Sequence, residues 1–147
     1  MAGQRLLLTL GVLLAAAGLG GCGGPAQEAD SGSFHTLAEE NTEAQQYLPG
    51  DLPIPAGAGI TLAQGEQTEG KTSSMLVYKT KESMASLGTA YQRYVREKRL
   101  ELGTAIVDSH NILINGKVNG SYSYSIIGSS ADSPGGGNEI IVTWIVN

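Results

Sequence analysis

The sequence predicts an α+β domain, one helix packed on a mostly antiparallel sheet in the order β-β-α-β-β-β, preceded by a leader and a tether. Three observations carry that expectation. A single apolar stripe at helical spacing runs from Met84 to Lys98. On both sides of it lie short apolar or alternating runs bounded by glycine, asparagine and proline. The chain then closes on EIIVTWIV, Glu139 to Val146, which is apolar on both faces. One helix laid on one face of a sheet is the economical way to bury such a set.

The leader comes first. MAGQR carries one positive charge at Arg5, and Leu6 to Ala17 is almost wholly apolar. Gly18-Leu19-Gly20-Gly21 then ends the segment with small residues. These are the parts of a secretory signal peptide, and the apolar run falls short of the roughly 20 residues that a membrane span needs. Cys22, the only cysteine in the chain, follows at once, so no disulfide can form within it. Leu19-Gly20-Gly21-Cys22 resembles the lipobox of bacterial lipoproteins. The resemblance implies cleavage between Gly21 and Cys22 and acylation of the Cys22 thiol, placing residues 1–21 in the signal peptide and anchoring the remainder to a lipid bilayer. Two or more acyl chains hold a protein stably, since each buried CH₂ contributes about 0.8 kcal/mol. Gly23 is not the aspartate that retains lipoproteins in an inner membrane. In a host with two membranes the resemblance therefore implies an outer-membrane location facing the periplasm.

Residues 22–46 form the next segment. From Gly23 to Gln46 it carries Glu28, Asp30, Glu39, Glu40 and Glu43, no base and few large apolar groups. Such a composition predicts a flexible acidic tether. His35 lies here beside Phe34, without neighbours that would make it a ligand.

The domain is expected over residues 47–147. It opens on Tyr47-Leu48-Pro49-Gly50-Asp51-Leu52-Pro53-Ile54-Pro55, where three prolines enforce an extended, non-helical path. Ile60 to Leu62 and Ser74 to Tyr78 read as a hairpin, with the polar stretch Ala63 to Ser73 as its loop. The helix presents Met84, Leu87, Tyr91, Tyr94 and Val95 on one side, with Thr80 or Ser83 as its cap and Gly103 as its terminator. Gly88 within it costs about 1 kcal/mol relative to alanine. The short runs Thr104 to Val107 and Ile112 to Ile114 share the fourth place in the order. Ser121 to Ile127 alternates, with Tyr122, Tyr124 and Ile126 on one face, after a turn at Asn115-Gly116 or Asn119-Gly120. Beyond the loop from Ser129 to Asn138, the closing run reads as a central strand covered on both sides.

The stretch Asp51-Leu52-Pro53-Ile54-Pro55-Ala56-Gly57-Ala58 and the helix tyrosines Tyr91 and Tyr94 are similar to those of many uncharacterised small envelope lipoproteins of bacteria. That resemblance spans roughly residues 47 to 147. It implies the same fold and location and carries no established activity.

Charge narrows the partners. Once Arg5 leaves with the leader, 14 acidic residues face 8 basic ones, a net charge near −6 that disfavours nucleic acid. Six of those eight bases, Lys79, Lys81, Arg93, Arg96, Lys98 and Arg99, fall within one short stretch around the helix. The ordinary reading is a solvated face with Arg93–Glu97 and Lys98–Glu101 pairs. The functional one makes Arg93, Arg96 and Arg99 a contact for anionic headgroups, an envelope protein or a cell-wall polymer. Tyr122 and Tyr124 would either line a binding surface on an open sheet face or lie in the core under the helix.

Catalytic sets are thin. Asp108, Ser109 and His110 are triad residue types, but strand neighbours diverge, so Ser109 and His110 would point to opposite faces. A small hydrolase using His110 is the alternative to a non-catalytic binding or accessory domain, which the sequence favours. Two histidines and a lipidated cysteine do not make a zinc set. Asp132, Ser133 and Asn138 lack the spacing of a calcium loop, and Pro134-Gly135-Gly136-Gly137 leads into a strand rather than into the helix that a phosphate cradle needs. No metal or cofactor is expected.

Overall fold

The computed structural model describes residues 32–40, 42–132 and 134–147. Eight strands and one helix follow in order: β1 (Phe34–Thr36), β2 (Pro53–Pro55), β3 (Gly59–Thr68), β4 (Lys71–Thr80), α1 (Met84–Glu97), β5 (Thr104–Val107), β6 (Asn111–Val118), β7 (Tyr122–Ser130) and β8 (Asn138–Val146). The fold class is α+β, as the sequence predicts. β3 to β8 build one antiparallel sheet in the spatial order β3-β4-β8-β7-β6-β5, and β1 and β2 pair separately. Four strands follow α1, one more than expected, because both short runs after the helix become strands.

The segment from Phe34 to Gln46 is not a tether. Phe34–Thr36 pairs with Pro53–Pro55, and two 3-10 turns, Leu37–Glu39 and Glu43–Gln46, bury Leu37 and Ala44 completely. Leu37 N–H donates to Leu52 O at 2.9 Å and Ala38 N–H to Gly50 O at 2.8 Å. The acids that made this stretch look unfoldable have local work. Glu39 accepts the N–H and the hydroxyl of Thr36, at 2.7 and 3.0 Å, at the start of the first turn. Its average composition concealed two well-placed apolar anchors.

The β3–β4 hairpin is far longer than the loop reading allowed. Its strands continue to Thr68 and from Lys71 and are joined by Glu69-Gly70 alone. Both residues have positive φ, 48° and 82°, which is the requirement of a tight two-residue turn whose twist matches the strands. Ala63 to Ser73 is polar because this ribbon stands at the sheet edge, not because it is irregular.

Ser83 caps α1, its hydroxyl accepting Ser86 N–H at 3.1 Å. Termination differs from expectation. Arg99, with φ 53°, takes the left-handed position, and Leu100 N–H reaches back to Val95 O at 3.0 Å. Gly103 instead lies against β6, donating to Asn115 O at 2.8 Å. Met84, Leu87, Tyr91, Tyr94 and Val95 are buried as the stripe requires. Gly88 has a packing reason, since a Cβ there would lie 2.4 Å from Val107 Cγ1, so its bare backbone lets α1 close on β5.

The core lies on one side of the sheet. Leu76 and Tyr78, Ile112 and Ile114, Tyr124 and Ile126, and Ile140 and Val142 point into it from β4, β6, β7 and β8. α1 covers β5 to β7, while the second 3-10 turn packs on β3 and β4. Inside, the hydroxyls of Tyr78 and Tyr91 hydrogen-bond to each other. The turn before β7 is Asn119-Gly120, with Gly120 at φ 73°, and Asn115-Gly116 lies within β6. β8 is central, between β4 and β7, yet it is covered on one side only: Ile141 and Ile145 are half-buried on the face away from the helix. That corrects the expectation of two covered faces.

Candidate binding surfaces

Two surfaces stand out once the sequence-selected residues are placed. The first lies where α1 ends. The left-handed turn at Arg99 folds the chain back, so that Leu100 becomes half-buried and Leu102 is left 51% exposed. Between this return and β5 opens a groove of about 570 Å³, with Val95, Ala105 and Ile114 in its walls and Arg96 and Arg99 beside them. Arg96 and Arg99 make no ion pair among the described residues.

The basic trio does not act as one patch. Arg93 faces a separate hollow of about 220 Å³ beside Asp51, Pro53 and Phe34. Arg93–Glu97 and Lys98–Glu101 pairs are not formed. Lys98 pairs instead with Asp51, and Tyr94 O–H donates to Asp51 Oδ1 at 2.8 Å. Asp51 therefore fastens the proline-rich opening of the domain to the helix. Partial burial opposes ionisation of Asp51, but hydrogen bonds from Lys98 and Tyr94 outweigh it and hold the carboxyl below its usual value. Burial, then the bond to Asp51, pushes the Tyr94 hydroxyl far up.

Tyr122 and Tyr124 lie on the helix side of the sheet rather than on its open face. They stack with Trp144, ring centroids 6.1 and 5.2 Å away, and clamp the chain leaving α1. Tyr122 Oη accepts Glu101 N–H at 3.1 Å, and Tyr124 O–H donates to Glu101 O at 2.7 Å. Burial, with Tyr122 and Glu101 nearby, raises Tyr124 to about 12. Glu101 comes this close because Gly116 is beneath it, where a Cβ would sit 1.7 Å from the Glu101 carbonyl oxygen.

His110 occupies an exposed turn between β5 and β6. Asp108 Oδ1 accepts the backbone N–H groups of His110 and Asn111, both at 2.8 Å, so its carboxylate is engaged by its own turn rather than by the imidazole. Those two bonds lower the Asp108 carboxyl below its usual value. Asn138 Nδ2 donates to Glu82 O at 2.7 Å, joining the last loop to the helix start. His35 pairs with Glu40. Gly21, Cys22 and the rest of the lipobox lie outside the described residues, as does Ser133.

The second surface was missed from the sequence. Reading the register across the sheet, Leu62 lies opposite Val77, Val77 opposite Ile141, Ile141 opposite Ile127, Ile127 opposite Leu113, and Leu113 opposite Ile106. One aliphatic residue from each of the six strands thus forms an unbroken row on the face away from the helix. Leu62, Ile127 and Ile106 are 38, 42 and 51% exposed. The row beside it is polar except at Met75: Gln64, Met75, Thr143, Ser125, Asn115 and Thr104. The signal was present in Ile141 and Ile145, the second apolar face of β8, but register is needed to see that five other strands continue it.

Among the described residues no helix is long and apolar enough to cross a membrane, and no three His, Cys, Asp or Glu side chains cluster as metal ligands. No family model, no curated protein and no solved structure matches this chain.

Proposed function

We propose that this protein is a bacterial envelope lipoprotein, held to a membrane through acylated Cys22, whose domain binds an anionic envelope partner rather than transforming a substrate. The lipobox-like Leu19-Gly20-Gly21-Cys22 supports the anchor. The observation that carries the binding role is the groove after α1, where two guanidinium groups with no carboxylate partner among the described residues flank apolar walls. Arginine suits carboxylate or phosphate recognition through its planar, paired donors. A partly apolar anionic group on an envelope protein or cell-wall polymer matches both features. Two guanidiniums on an acidic protein also confine attraction of such a partner to one end of the helix.

The test uses the full-length protein in its host. Replacing Cys22 with alanine should release the protein from the membrane fraction. Replacing Arg96 and Arg99 together with alanine should leave it membrane-bound but lower the yield of its cross-linked complex about tenfold. Membrane retention of the Cys22→Ala protein would overturn the anchor. An undiminished complex from the double variant would overturn the groove.

A further inference from the structure

We infer that the open sheet face is the interface with a second copy of this chain, the two sheets packing face to face across the aliphatic row. The inference is independent of the anchor and of the arginine groove, which lies on the other side of the sheet.

The geometry of the row points to self-association. A straight row spanning all six strands can be laid on itself by a two-fold axis that passes between the central strands β8 and β7, parallel to them. Ile141 then lies over Ile127 of the second copy, Val77 over Leu113, and Leu62 over Ile106. The flanking positions agree. Lys79 and Glu139 share a row with Ser129 and Asn111, so the axis sets Lys79 over asparagine and Glu139 over serine. Further out, Lys117 comes over Ser73. No like charges lie directly opposite each other, and the two Glu139 flank the axis one strand spacing apart. Serines at 73, 123 and 125 are small enough to let a second sheet approach to the roughly 10 Å at which sheets interdigitate.

The area is sufficient. Six strands at about 4.8 Å spacing, over the seven or so residues that bear these rows, give a footprint of roughly 650 Å² per copy, or about 1,300 Å² for the pair. Stable specific interfaces bury about 1,200–2,000 Å². A lipid surface fits less well. None of the paired rows carries an aromatic residue, and their charges, Glu66 and Glu139 with Lys71, Lys79 and Lys117, are of mixed sign, whereas an interfacial face is rich in aromatics and bases. At the sheet edges, β5 is short at four residues and β3 is bulged between Ile60 and Leu62, features that discourage edge pairing.

The experiment is sedimentation velocity on the full-length protein isolated from its host in density-matched detergent, so that protein mass is read alone. The wild type should sediment as two copies. Ile127→Asp places a charge at the axis and should raise the dimer dissociation constant thirtyfold or more. Ser125→Arg should do the same by holding the sheets apart, and it decides the matter if Ile127→Asp loses its circular dichroism spectrum. Leu102→Asp, on the helix side, should leave the dimer intact. A monomeric wild type at about 100 μM would overturn the inference. So would a dimer that survives both face variants, a dimer lost equally with Leu102→Asp, or a different protein bound to this face in place of the second copy.

Discussion

Tyr78 and Tyr91 are fully buried, and each supplies the other's hydrogen-bond partner. Burial raises both hydroxyls well above their usual value, so they stay neutral at any physiological pH. Removing one hydroxyl orphans the other. Tyr78→Phe should cost about 1–3 kcal/mol, while the double change to phenylalanine should cost less than the single one. Urea unfolding of the three variants measures this, and a double variant worse than either single one would contradict it. Asp51 gives a pH signature. Its carboxyl is lowered in the folded protein, so its contribution is full above the unfolded carboxyl value and fades as pH falls through the folded one. The pair with Lys98 is half-exposed, which limits the contribution to about 1 kcal/mol or less. The stability difference between wild type and Asp51→Asn should be greatest above the ordinary carboxyl value, near pH 6, and shrink as the solution is acidified below it. A difference that grows on acidification would assign Asp51 another role. The sequence placed Asp51 and Tyr94 in one motif without showing that they touch. Forty-three positions separate them, and only the folded chain brings them into contact.

Among the elements, α1 was the most legible, because its stripe repeats over several turns and each buried position follows from the spacing. Its end was not, since the left-handed turn falls on Arg99 rather than on a glycine. The same holds for Glu69-Gly70, where a glutamate occupies a position usually filled by asparagine or aspartate. In both places the backbone path, a two-residue link between Thr68 and Lys71 and the return of Leu100 N–H to Val95 O, overrides local preference. Gly88 sets propensity against packing directly. Alanine gains about 1 kcal/mol in an isolated helix, but here its Cβ would meet Val107 at 2.4 Å, and overpacking of that kind costs 1–3 kcal/mol. Gly88→Ala should therefore destabilise the domain by up to about 2 kcal/mol, as read from its urea midpoint. A stabilised variant would mean that β5 moves aside freely.

For the molecule as a whole, the helix side is built from two pieces distant in sequence, α1 and the N-terminal segment with its two 3-10 turns. Composition could not reveal the second, because Leu37 and Ala44 are few among many acids. Leu37→Ala removes a fully buried side chain and should cost about 2–5 kcal/mol, whereas a residue in a free tether would cost nothing. Thermal unfolding distinguishes the two. The candidate surfaces divide in the same way. The charged residues of the groove could be listed from the sequence, since cations crowd one stretch. The aliphatic row could not, because it takes one residue from each of six strands.

The early start of the folded part also fixes a length. If Cys22 carries the lipid as proposed, pairing that begins at Phe34 leaves about eleven residues between anchor and domain, a chain length of no more than about 40 Å. A leash running to Gln46 would have reached roughly twice as far. On the proposed anchor, the domain would be confined to a layer about one protein diameter above its membrane, and would meet neighbours held in the same leaflet far more often than anything suspended deeper in the compartment.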